Sequence, residues 1–278
     1  EVEVGVRYED IEGDLVNHLL SVTKNNNQSK VLPGVSALWD LSESTAIFAG
    51  IHKGYSPRSP GSNADQAEES TNYEYGIRYN ENNKGLEIVG FNSDYENLIG
   101  RCRVSDFGCN PGEEFSGGEV NINGAELSGS LQWSFENELD LSLSANYTYT
   151  SSEFQESFLS TFSQFGLVKE GDELPYLPKH IARIEVLMAK DDWEVSAAVK
   201  HQSSMREEPG QGSVTEGVYA QELTIIDLSA SWQFSEQGTA QVMLTNLTDE
   251  QKIVSHRPFG ARPNRPFAAI LRIKYRLR

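Results

Sequence analysis

Leu139-Asp140-Leu141-Ser142-Leu143-Ser144-Ala145-Asn146-Tyr147-Thr148-Tyr149 alternates apolar and polar side chains without a break. Successive side chains of a β-strand point to opposite faces. The segment therefore reads as a strand with one greasy face, ending in two tyrosines, and one face of hydroxyl, amide and carboxylate groups. The same period recurs along the chain. Val2, Val4, Val6 and Tyr8 alternate with Glu1, Glu3, Gly5 and Arg7, and Trp193, Val195, Ala197 and Val199 with Glu194, Ser196, Ala198 and Lys200. Thr224, Ile226, Leu228, Ala230, Trp232 and Phe234 oppose Asp227, Ser229, Ser231 and Gln233. The closing segment sets Phe267, Ala269, Leu271, Ile273, Tyr275 and Leu277 against Ala268, Ile270, Arg272, Lys274 and Arg276.

About twelve such segments are predicted, many near the 9–11 residues with which a tilted strand crosses a bilayer. They lie near residues 1–9, 30–41, 44–54, 70–81, 85–98 and 117–135. The remainder lie near 138–151, 179–190, 192–204, 222–235, 238–248 and 265–277. A helix is expected only in the stretch Phe154–Val168, carried by Phe158, Leu159, Phe162 and Phe165.

The connections decide between architectures. Ser42-Glu43, Asn82-Asn83-Lys84, Glu136-Asn137, Asp191 and Glu236-Gln237 are short hairpin turns. The intervening connections near 10–29, 55–69, 99–116, 152–178, 205–221 and 249–264 are long. Strict alternation puts every short turn at one end and every long loop at the other, as in an outer-membrane barrel with short periplasmic turns. Trp133, Phe135, Trp193, Trp232, Phe234 and Tyr275 fall at the short-turn end, while Tyr73, Tyr75, Tyr147 and Tyr149 fall toward the loops. Two aromatic girdles are the expectation. The competing reading is a soluble antiparallel protein, such as a carbohydrate- or ion-binding module, whose apolar faces pack a core.

Composition narrows the field. The chain has 278 residues, 41 acidic and 23 basic, and a net charge of −18. Such acidity argues against a nucleic-acid partner, which calls for a basic footprint. No uncharged stretch exceeds 12 residues, Leu141 to Ser152 being one of that length, which is too short for a membrane helix. Eight of the basic residues lie in 251–278, which holds no acidic one. The chain begins in strand alternation with Glu1 and no leader, and is expected to be a piece of a longer protein.

Several motifs, in order, resemble those of TonB-dependent outer-membrane receptors. They are Leu32-Pro33-Gly34-Val35, the strand Ser44–His52 ending in Gly54-Tyr55-Ser56-Pro57, and Glu69-Ser70-Thr71-Asn72-Tyr73-Glu74-Tyr75-Gly76-Ile77-Arg78-Tyr79. Leu174-Pro175-Tyr176-Leu177-Pro178-Lys179-His180 and Leu244-Thr245-Asn246-Leu247-Thr248-Asp249 continue the likeness. The loop from Ser255 through His256, Arg257, Gly260, Arg262 and Arg265 to Pro266 is most similar to the ferric dicitrate branch of the family. The resemblance implies an all-β, antiparallel transmembrane β-barrel. Residues 1–278 would supply about twelve C-terminal strands of a barrel of about 22, of the plugged kind. The plug would lie upstream, outside this sequence. Implied with it are residence in the outer membrane of a Gram-negative bacterium and import of a ferric chelate, either ferric citrate or another siderophore. TonB would be engaged through the missing plug, with outer-membrane lipid and lipopolysaccharide as surroundings, a monomeric state and no resident cofactor. The chain departs from the family at its end, where Arg276-Leu277-Arg278 follows Tyr275 in place of a terminal aromatic.

Two sets of residues are candidate sites. Cys102 and Cys109 are the only cysteines and share one long loop. An oxidising compartment favours a disulfide between them, and two cysteines without a neighbouring histidine make a poor metal site. His256, Arg257, Arg262 and Arg265 sit among Pro258, Pro263 and Pro266. Arginine forks suit carboxylate-rich or phosphate-bearing anions, and prolines lower the entropy cost of ordering the loop. The same arginines could instead pair with nearby Asp and Glu or with lipopolysaccharide phosphates.

Arg7, Glu74, Arg78, Arg183, Glu185, Asp227, Arg272 and Lys274 are expected to face a wet lumen without special function. The acidic loops around Asp65, Glu68 and Glu69 and around Glu113 and Glu114 lack an ordered calcium-loop pattern. No Gly-x-Ser-x-Gly, His-Glu-x-x-His or Gly-Lys-Ser motif is present. An outer-membrane hydrolase therefore ranks below transport, and the chain is expected not to be an enzyme.

Overall fold

The structure, a computed structural model, describes residues 1–19, 21–60, 62, 66–102, 110–160, 165–214, 217–257 and 260–276. The first hairpins are built from β1 (Val2–Asn17), β2 (Val22–Asp40), β3 (Thr45–Ser56), β4 (Glu68–Glu81) and β5 (Lys84–Glu96). A small loop hairpin follows, β6 (Ile99–Arg101) with β7 (Glu114–Ser116), before the long β8 (Val120–Ser134) and β9 (Leu139–Phe154). Next come the short pair β10 (Phe158–Leu159) and β11 (Leu167–Val168), then β12 (His180–Lys190) and β13 (Trp193–Gln202). The last elements are the short β14 (Met205–Arg206) and β15 (Tyr219–Ala220), the long β16 (Leu223–Ser235) and β17 (Gly238–Thr245), the short β18 (Ile253–Ser255) and β19 (Arg262–Pro263), and β20 (Ala268–Tyr275).

The twelve long strands form one sheet in sequence order, β1-β2-β3-β4-β5-β8-β9-β12-β13-β16-β17-β20, with every pairing antiparallel. Such a meander follows from its turns. Lys190 pairs with Trp193 across Asp191-Asp192, with Asp191 at φ 51°. Glu81 pairs with Lys84 across Asn82-Asn83, with Asn82 at φ 47°. Asn and Asp tolerate this left-handed conformation better than most residues, which closes two-residue hairpins. The long strands match the sequence expectation except at the start. Residues 10–29 are not a loop: Asp10 to Asn17 pairs with Val22 to Ser29 as a continuation of the first hairpin. Lys24-Asn25-Asn26-Asn27-Gln28 is polar on both faces, so its strand carries no alternation to read.

Register carries the alternation from strand to strand. Leu143 lies opposite Val186, Val186 opposite Ala197, Ala197 opposite Leu228, and Leu228 opposite Leu244. Ile184 and Val199 make a second apolar row with Ala145 and Ile226. These rows are uncovered: Ile184 is 50% exposed and Val199 39%. Large apolar side chains left open along a whole sheet face match a lipid-facing wall and not a water-facing one.

The other face is polar. Arg78 pairs with Glu87, Arg183 with Glu185 at 2.8 Å and Lys200 with Asp227 at 2.8 Å. It also has close aromatic–glycine contacts. The Phe48 ring lies over Gly76 and the Phe91 ring over Gly124, where a Cβ would come within 2.6 Å of each ring. Arg78 completes the first contact, its guanidinium carbon 5.5 Å from the centroid of the Phe48 ring.

At the short-turn end Trp193 and Trp232 stack at 5.3 Å and 7°, with Phe234 edge-on to Trp232. At the other end Tyr147 and Tyr149 flank His180, and the Tyr147 hydroxyl is 2.8 Å from its Nδ1.

The buried core is small and lies under the loops, not within the wall. Val120, Phe154 and Val168 are buried, and Tyr95, Leu98, Ile122, Phe158, Phe165 and Leu174 pack against them. The helix expected over Phe154–Val168 is not found among the described residues. Phe158 pairs with Val168 and Leu159 with Leu167 as a two-stranded ribbon. Its aromatics cap this core, Phe158 and Phe165 meeting Phe154 edge-on. Residues 161–164, with the expected Phe162, lie outside the described residues.

Candidate functional site at the loop end

The loops at the long-connection end are tied together in two groups. In the first, the β1–β2 hairpin holds the loop after β3. Asn26 and Gln28 side-chain amides donate to the Arg58 carbonyl at 2.7 and 3.0 Å, and the Arg58 N–H donates back to Gln28 Oε1 at 3.1 Å. Lys30 pairs with Glu69. The Ser59 N–H donates to Glu114 Oε2 at 3.1 Å, which joins this loop to the β6–β7 hairpin. Burial alone would raise the Glu114 carboxyl, but hydrogen bonds from Ser59 and Ser62 and the nearby Arg101 outweigh it and hold the group below the usual carboxylate range. Glu68 accepts the Ile99 N–H at 3.0 Å and Glu113 the Asn110 N–H at 3.0 Å. The acidic residues here are structural acceptors.

Cys102 lies in this group, 2% exposed, with its N–H donating to the Glu113 carbonyl at 2.8 Å. Cys109, its expected partner, lies outside the described residues, as does Asp65.

The second group centres on the loop between β13 and β16, where Arg206, Glu207 and Glu208 follow one another. Arg206 Nε reaches Glu173 Oε2 in the loop after β11 at 3.1 Å, and Lys179 Nζ of that same loop lies 2.7 Å from Glu173 Oε1. Burial pushes the Glu173 carboxyl up, yet the hydrogen bonds and charges of Lys179 and Arg206 bring it below its ordinary value. Glu207 and Glu208 reach the other way, to the last loop. Glu207 is 2% exposed; its carboxylate accepts the His256 N–H at 2.8 Å and lies 3.1 Å from His256 Nδ1. Glu208 pairs with Arg257, and both side chains are about half exposed.

The base of the last loop is fixed by Asn246, also 2% exposed. Its side-chain amide donates to the carbonyls of Glu250 and Arg265, each at 2.9 Å, and its oxygen accepts the Glu250 N–H. Asp249 accepts the Phe267 N–H at 2.9 Å, setting the entry to β20.

The four candidate ligand residues therefore share one loop but not one environment. His256 is engaged by a buried carboxylate and Arg257 by an exposed one. Arg262 lies on β19, across the ribbon from Ser255, and Arg265 leads into β20. Both arginines are exposed and carry no ion pair among the described residues. Glu207 and Glu208 were not legible as partners in the sequence, because they lie 49 residues away in a loop without periodicity. The one available signal was complementarity, Glu207-Glu208 answering His256-Arg257.

A wall with an apolar outer face, a polar inner face, short turns at one end and braced loops at the other defines part of a transmembrane β-barrel. The chain belongs to the family of TonB dependent receptor-like β-barrels, whose sequence model matches residues 1–247. TonB-dependent receptors are transporters of the Gram-negative outer membrane, not enzymes. Comparison with curated proteins finds no match.

Among solved structures, the chain is similar to the ferric citrate transporter FecA in its unliganded form, at 16% identity and a TM-score of 0.75. It is similar to the siderophore receptor PiuA from Acinetobacter baumannii at 18% and 0.75, and to the ferric-catecholate import receptor Fiu from E. coli K12 at 15% and 0.70. Each match covers 99% of this chain but only 40% to 42% of the other. At these identities the likeness speaks to the fold.

Proposed function

We propose that the chain is the C-terminal part of the barrel of an outer-membrane receptor that imports an anionic ferric chelate, with ferric citrate the favoured cargo. The single observation behind the cargo is the last loop, where Arg257, Arg262 and Arg265 gather on a chain otherwise rich in acid. Two of these, Arg262 and Arg265, are exposed and not paired with carboxylates among the described residues. Arginine binds carboxylate oxygens in charge-assisted, often bidentate hydrogen bonds. On this reading the polar inner face lines the path around a plug, through which TonB supplies the work. The apolar outer face meets lipid, lipopolysaccharide surrounds the loop end, and the receptor acts as a monomer.

The test uses the full-length receptor. Ferric citrate should bind more tightly than a ferric catecholate. Arg262→Ala with Arg265→Ala should weaken ferric citrate by at least about tenfold, since hydrogen bonds to charged groups contribute about 1.5–3 kcal/mol each. Equal affinity for the two chelates, or no loss in the double variant, would overturn the assignment.

The same reading includes a disulfide between Cys102 and Cys109, supported by the buried setting of Cys102 and by the oxidising exterior. Alkylation of the denatured, unreduced protein should label neither cysteine. Labelling of both would contradict it.

A further inference from the structure

Two adjacent carboxylates on the β13–β16 loop grip two adjacent residues of the last loop, and they do so in opposite surroundings. Glu207 is buried, and its two oxygens take the backbone N–H and Nδ1 of His256. The loop backbone is further fixed at this point, with the Ser255 hydroxyl donating to the Arg257 carbonyl at 2.9 Å. Such a buried, doubly bonded carboxylate is a strut, because releasing it would strand a charge. Glu208 differs. Its side chain is 51% exposed and that of Arg257 40%, and the ion pair is their contact in the structure. An exposed pair of this kind exchanges readily with solvent and with other ions. The strut therefore holds the Arg257 backbone in place while its guanidinium is closed by a partner that can leave.

We propose that Glu208 is a built-in competitor: it occupies the anion-binding fork of Arg257 until a chelate carrying several carboxylates displaces it. The inference rests on the proposed reading of the last loop as an anion-binding element. It adds what sets selectivity there. A multiply charged anion offers Arg257 more than Glu208 does and wins the exchange, whereas a weakly charged ligand does not. The apparent affinity is lowered by the fraction of receptors in which Arg257 is closed. For a pair of ordinary exposed strength, that fraction corresponds to about a twofold to sixfold loss.

The experiment measures ferric citrate binding to the full-length receptor and to Glu208→Gln, Arg257→Ala and the double variant. Glu222→Gln controls for removing one exposed negative charge elsewhere. Glu208→Gln should bind about twofold to sixfold more tightly, Glu222→Gln should not, and Glu208→Gln should have no effect once Arg257 is alanine. An unchanged affinity in Glu208→Gln, or an equal gain with Arg257 absent, overturns the competitor. A second readout does not depend on the cargo: labelling of Arg257 by phenylglyoxal, followed by peptide mass spectrometry without ligand. Glu208→Gln should accelerate it several-fold, and an unchanged rate overturns the closed pair. Failure of the unmodified receptor to bind ferric citrate would overturn the cargo assignment, and the labelling rate would still decide whether Glu208 closes Arg257.

Discussion

Phe154→Ala is expected to loosen the loop end of the barrel by about 3–5 kcal/mol while leaving the wall intact. Phe154 is fully buried, its ring set edge-on to Phe158 at 5.8 Å and Phe165 at 6.1 Å. Val120 and Val168 complete the centre, and Leu98 and Leu174 reach it from the loops on either side. Truncation removes a large apolar side chain and leaves a cavity that the surrounding ribbons have little freedom to fill. The backbone of Phe154 also binds this region together. Its N–H donates to the Asp172 carbonyl at 2.8 Å, and its carbonyl accepts the Gly171 N–H at 2.9 Å. The loss should therefore be local, since regions of a fold open with their own free energies. Amide hydrogen exchange should accelerate in residues 95–101, 114–120, 154–160 and 165–174, with little change in β12, β13 and β16. Uniform acceleration through the wall strands would place Phe154 in a global core instead.

That a hydrophobic centre lies under the loops explains what the sequence made legible and what it did not. The wall was readable because a strand between lipid and a wet lumen must alternate strictly. Leu139 to Tyr149 and Thr224 to Phe234 could hardly be anything else. Turn residues such as Asp191 and Asn82 then fixed the hairpins. Beyond the apolar belt the constraint vanishes. Lys24 to Gln28 forms a strand with no alternation, because neither face meets lipid: Asn26 and Gln28 hold the Arg58 loop and the opposite face is exposed. Phe158, Leu159 and Phe165 have a spacing that suits a helix, yet Phe158 and Phe165 serve as a lid over Val120, Phe154 and Val168.

The candidate site was legible as a composition, not as a geometry. A basic loop in an acidic chain drew notice to His256, Arg257, Arg262 and Arg265. Long-range pairing then divides them, since Glu207 makes His256 part of a strut and Glu208 occupies Arg257. Charge pairs between loops leave no local pattern, and only the fold brings residues 207 and 256 together. The family explains the barrel and its place in transport. On the proposed reading, cargo selection rests on these few exposed groups.

The central claim is that one face of the sheet meets lipid and the other an aqueous lumen, and Val186 and Ser144 test it on adjoining strands. Val186 lies on the apolar face between Ile184 and Met188, opposite Leu143 and Ala197. It is about midway between the tyrosine row at Tyr147 and Tyr149 and the Trp193–Trp232 stack. Ser144 lies on the polar face, opposite Glu185. The measurement is the folding free energy of the full-length receptor in phospholipid vesicles, with an arginine placed at each position in turn. Val186→Arg is expected to cost about 2–4 kcal/mol, as charges do on the lipid face near the bilayer midplane. Ser144→Arg should stay within about 0.5 kcal/mol, as substitutions at wet positions do. Equal costs at the two positions, or a tolerated arginine at 186, would contradict the account.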